Sequence, residues 1–86
     1  MRRMTPDEAV ATLYEVFEVA PDTVNGGLAD AFMWGMDADT ARRRMDAYLD
    51  TQAPEIDAAT VEITPDTTDD SDTDCCRIII RTETRG

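Results

Sequence analysis

The chain contains no histidine and no lysine, and only two cysteines among its 86 residues. Each absence removes a class of chemistry. Without histidine there is no imidazole base to activate a hydroxyl or thiol nucleophile. Without lysine there is no phosphate-cradling P-loop. Cys75 and Cys76 are adjacent, a spacing at which a disulfide is strained, and two cysteines alone cannot complete a four-ligand zinc site within one chain. One of the pair is expected to face the core as a small apolar group. Long apolar runs are missing too, so no segment reads as a membrane span of about 18 residues or more. Arg2 and Arg3 are not followed by an apolar stretch, so the opening lacks a signal-peptide layout. The expectation is a soluble, cytoplasmic, non-enzymatic chain with no cofactor and no metal.

What is abundant is negative charge. Eight basic residues, all arginine, stand against nineteen acids, giving a net charge of −11. Such a balance normally disfavours nucleic acid and anionic membranes. An acidic, lysine-free composition resembles that of proteins from salt-loving archaea, and the resemblance implies a halophilic source. The acidity then describes the solvent more than the partner, because at molar salt the Debye length falls to roughly 3 Å.

One small domain is the natural reading of this length. Thr5-Pro6-Asp7-Glu8 starts a helix, with Thr5 as cap, Pro6 in the first turn and Glu8 completing a capping box. Val10, Leu13, Tyr14 and Phe17 follow at helical spacing, so the pattern predicts a helix over residues 6–18. Pro21 and Asn25-Gly26-Gly27 interrupt the chain. A short second helix is expected over 28–34, with Leu28, Ala31 and Phe32 inward, Met33 and Trp34 at the core edge or, as the alternative, in a partner patch, and Val24 extending the stripe if the helix starts earlier. Gly35 stops it, and Asp37 caps a third helix over 38–50 with Ala41, Met45, Tyr48 and Leu49 inward. Pro54 ends that helix. Alternating patterns then predict strands over 59–64 and 75–83, joined by the acidic loop 65–74, "PDTTDDSDTD".

Three helices followed by a hairpin, with Ala31, Gly35, Met36, Asp37 and Ala41 at their particular spacing, resemble the winged helix-turn-helix of prokaryotic and archaeal transcription regulators. The specific part of the resemblance is 28–49. It implies an α+β fold of three helices and a two-stranded antiparallel wing over residues 1–86. It also implies sequence-specific binding of double-stranded DNA, with the helix from Ala38 entering the major groove. On that mapping Asp37, Ala38, Asp39, Thr40, Arg42, Arg43 and Arg44 form the DNA-binding set. Arg42, Arg43 and Thr40 would contact bases or phosphates, Asp37 and Thr40 would shape the helix start, and Arg44 would support from the flank. A homodimer is a further expectation, paired through the apolar edge of the first helix or through the C-terminal strand.

A plainer reading stands beside it. Asp39 precedes Arg43 by four and Asp46 follows Arg42 by four, so the arginines can tie down helix acids at about 0.3–0.5 kcal/mol each. Arg77 and Arg81 share a strand face, turned toward phosphate or simply edge-strand charges. Asp70, Asp72 and Asp74 alternate like the opening of a calcium loop, but its glycine and closing glutamate are missing. The rival function is a winged-helix protein-interaction module, viral or plasmid-borne in one version, that works through its acidic wing.

Overall fold

A computed structural model describes residues 2–25, 27–66 and 74–83. Helix α1 spans Pro6–Phe17. Strands β1 (Thr23–Asn25) and β2 (Leu28–Trp34) follow, then helix α2 (Ala38–Gln52), a 3-10 turn at Ala58–Thr60, and strands β3 (Val61–Pro65) and β4 (Cys75–Arg81). The strands form one antiparallel sheet in the order β1-β2-β4-β3. Strands β2 and β3, joined by α2, therefore run parallel with β4 inserted between them, a split β-α-β arrangement.

The α+β class agrees with the sequence reading, but the three-helix winged architecture does not. Residues 28–34 form a strand, not a second helix, and Thr23–Asn25 is strand as well. The physical reason is the partner available. Ala29 and Ala31 lie opposite Ile80 and Ile78 across the ladder, where the β-branched residues of β4 fit a pleated, half-buried surface. Asn25 pairs with Leu28 to close a hairpin, which the Asn25-Gly26-Gly27 sequence favours because such turns need positive φ. Gly27 has φ 84°. The hairpin of β3 and β4 forms as expected, with Ile63 opposite Ile78, but it is half of a four-stranded sheet and not a peripheral two-stranded wing. Most of the expected wing tip, 67–73, lies outside the described residues, as do Asp70 and Asp72.

Both helices begin where the sequence places them. The Glu8 amide donates to Thr5 Oγ1 at 3.2 Å and the Thr5 amide donates to Glu8 Oε1 at 2.9 Å, so the capping box is complete. Glu18 caps the other end in the left-handed region, φ 56°. Helix α2 is held by strong helix formers such as Ala41, Arg42, Arg43, Arg44, Met45 and Leu49 and stops at Ala53, which precedes Pro54. Asp37 sits at its N-cap without a side-chain capping bond.

Leu13 and Phe17 of α1 and Met45 and Leu49 of α2 pack with Ala29, Ala31, Ile78, Ile80 and Val61 in one buried cluster. Burial of each large member stabilises by about 1.5–3 kcal/mol. Both helices thus cover one side of the sheet. The N-terminal segment is fastened beside them: the Arg2 amide donates to Glu55 O at 2.9 Å, and the Asp57 amide donates to Arg2 O at 3.0 Å. Met33 faces this core, whereas Trp34 turns away from it.

Candidate functional site

Strand alternation places Leu28, Asp30, Phe32 and Trp34 of β2 on the side of the sheet away from the helices. Arg77, Ile79 and Arg81 of β4 and Glu62 and Thr64 of β3 share that side, because Phe32 pairs with Arg77, Asp30 with Ile79, and Ile79 with Glu62. No described helix crosses this face. Trp34 is 59% exposed and meets Phe32 edge to face, with ring centroids 5.5 Å apart. The Arg77 guanidinium lies 5.6 Å from the Phe32 ring centre, within cation–π range. It donates to Asp30 Oδ1 at 2.7 Å and to Asp22 Oδ2 at 3.4 Å, and the Asp30 carboxylate raises its pKa above the ordinary arginine value. Arg81 reaches Glu62 at 3.4 Å. Arg77 and Arg81 do share a face, as the alternation predicts, and each is engaged by acids.

The seven residues expected to form a DNA-binding set all lie at or on the first half of α2, but their surroundings differ. Arg42 points to the sheet edge, where its guanidinium donates to Ala58 O at 3.0 Å and to Val61 O, and pairs with Asp46 at 3.1 Å. It is a tie between α2 and the chain entering β3. Arg43 and Arg44 are exposed, as is Asp39, and among the described residues neither arginine has an ion-pair partner. The expected Arg42–Asp46 pair forms, whereas no ion pair joins Asp39 to Arg43. Thr40 and Ala38 are half-buried. Asp37 has its carboxyl held below the ordinary value by the neighbouring Thr40 hydroxyl first, and less by the charge of Arg43.

A groove of about 510 Å³ runs between α2 and residues 54–58, walled by Arg42, Asp46, Leu49, Pro54, Ile56 and Ala58. Its one cation, Arg42, is already engaged. Cys76 faces the core and Cys75 the other side of β4; both are buried and reduced. The Cys75 thiol donates to Asp66 O, and burial pushes the Cys76 thiol above its ordinary value. No described helix is long and apolar enough to cross a membrane.

Sequence patterning missed the Leu28–Phe32–Trp34–Ile79 face because Leu28, Ala31 and Phe32 also fit a helical stripe. The signal for it was present: apolar residues at 28, 32 and 34 interleaved with Ala29, Ala31 and Met33, entered through an Asn-Gly turn. No family model, no curated protein and no solved structure matches the chain, so its function has to be argued from this geometry.

Proposed function

We propose that this protein works by binding another protein, and that the outer face of the sheet is its working surface. The observation that carries the reading is Trp34, more than half exposed beside Phe32 on a face that no described helix covers. Exposed aromatics grouped with arginine are the composition of binding surfaces. A cytoplasmic location is part of the proposal, and two free cysteines suit a reducing compartment. The acidic, lysine-free surface suits a salt-rich, archaeal one. The test is a residue-resolved NMR titration of isotope-labelled chain with extract of the cells it comes from. Signal loss centred on β2 and β4 is expected. Loss centred on α2 refutes this assignment of the surface, as does no loss anywhere from a chain that is monomeric at the concentration used.

A second reading is favoured by one specific observation, the two exposed arginines of α2 that lack ion-pair partners among the described residues. In this reading the chain is a transcriptional regulator that binds double-stranded DNA in sequence-specific fashion. Arg43 and Arg44 touch phosphate or base, Thr40, Asp39 and Ala38 lie alongside, and the sheet presents α2 in place of a winged frame. Fluorescence anisotropy with duplex DNA at about 0.5 to 2 M KCl tests it, a range in which only close contacts survive screening. Loss of binding in a folded Arg43→Ala/Arg44→Ala double variant supports the reading. Absence of wild-type binding removes it. Each phosphate contact deleted lowers the salt slope by about 1.

A further inference from the structure

We propose that the occupant of the outer sheet face is a second copy of this chain, docked face to face about a two-fold axis. The inference rests on the reading of that face as the working surface and adds the identity of the partner.

Charge distribution is the first argument. The chain carries −11 overall, yet on this face Arg77 and Arg81 stand against Asp22, Asp30 and Glu62, so the face holds only a small part of the net charge. Most of the excess acid lies elsewhere, on exposed residues such as Asp7 and Glu15 of α1, its C-cap Glu18, and Asp39, Asp46 and Asp50 of α2. A basic partner would be drawn more strongly to those acidic surfaces than to the sheet. Two copies of the chain repel each other in most orientations, and this weakly charged face is where they can approach.

Self-complementarity is the second argument. A two-fold contact brings one patch against the same patch, so residue i meets j and j meets i. Here both signs sit beside the apolar residues Leu28, Phe32, Trp34 and Ile79. Asp30 and Arg77 are already paired at 2.7 Å, so they enter the interface as a neutral unit and leave no lone charge stranded.

Area sets the strength. Strands of three, seven, seven and five residues, at about 3.3 Å rise and about 4.8 Å spacing, give a footprint of roughly 350 Å². Two such faces together remove on the order of 700 Å² from water, the size of a weak, transient contact. The dimer is therefore dissociable, with a monomer that folds alone around its own core.

The single tryptophan of the chain lies in the proposed interface, which makes the test direct. Light-scattering mass and tryptophan emission are followed over a dilution series, at low salt and at about 1 M KCl. The expected result is a mass rising from 9.5 kDa toward twice that value, with emission shifting to the blue on the same concentration curve. Salt should tighten association by screening the repulsion of two acidic chains. Phe32→Ala and Trp34→Ala are each expected to weaken it at least tenfold, while Tyr14→Ala, at an exposed aromatic on α1, leaves it unchanged. Should a sheet variant fail to fold by circular dichroism, wild-type emission against concentration still decides. A wild type monomeric at several hundred micromolar in both salts overturns the second-copy inference and leaves the sheet face to a different protein. A dimer whose emission does not move, or one broken by Tyr14→Ala, also overturns it and points to the helices.

Discussion

Arg42 is the residue whose role the tertiary structure defines most sharply, and its replacement by alanine separates two accounts of α2. Its guanidinium donates to two backbone carbonyls, Ala58 O at 3.0 Å and Val61 O, and pairs with Asp46 at 3.1 Å. A hydrogen bond to a charged group contributes about 1.5–3 kcal/mol. The side chain is 35% exposed, so water replaces part of what is lost and the lower end applies. The Asp46 pair adds no more than about 0.5 kcal/mol. Arg42→Ala should therefore destabilise by about 2–3 kcal/mol, which at about 4–8 °C per kcal/mol lowers Tm by roughly 10–20 °C for a domain of this size. Arg42→Lys should recover only part, since an ammonium group lacks the planar fork that reaches two acceptors. Arg43→Ala, on the exposed side of the same helix, should stay within about 0.5 kcal/mol of wild type. Urea titration monitored by circular dichroism reads all three. An Arg42→Ala protein as stable as wild type would refute the tie between α2 and β3 and return Arg42 to the candidates for partner contact.

Other perturbations probe separate parts of the fold. The Arg2 guanidinium, and then the Thr5 amide, hold the Glu8 carboxyl down at about 2. Because its folded value lies below the unfolded one of about 4.3, its contribution is full above that pH and is lost as pH falls toward 2. Both side chains are largely solvated, so Glu8→Gln should remove no more than about 1 kcal/mol from the acid limb of a stability–pH curve; a limb unchanged in the variant refutes the pair. Thr82 is buried with its hydroxyl unpartnered among the described residues, so Thr82→Val should be neutral or stabilise by about 1 kcal/mol by removing an unsatisfied polar group. A loss of stability in thermal melts would show that the hydroxyl has a partner. Gly35 adopts φ 78° with open space where a Cβ would stand. Gly35→Ala should therefore cost about 1 kcal/mol from the left-handed backbone alone, and a loss beyond about 2 kcal/mol would mean that the turn from β2 into α2 does more than fit this conformation.

Local chemistry alone determined a good part of this protein. The Thr5–Glu8 capping box, the apolar stripes of both helices apart from Tyr14, which α1 leaves exposed where the stripe placed it inward, the stop before Pro54 and the alternation of β3 and β4 depend on neighbours within one or two turns, and the sequence carries those neighbours side by side. The α+β class follows from them. Residues 28–34 are different, because alanine and leucine favour a helix while the alternation of Leu28, Phe32 and Trp34 suits a strand. What settles the choice is the β-branched face of β4, some fifty residues away, which offers Ala29 and Ala31 a ladder and a core that a seven-residue helix could not match. The same long-range pairing decided the surfaces. It drew the Arg42 guanidinium onto the carbonyls of Ala58 and Val61, and it turned Phe32 and Trp34 outward beside Arg77. An arginine cluster can be read from the sequence, but which of its members are already engaged depends on what the folded chain brings within 3 Å.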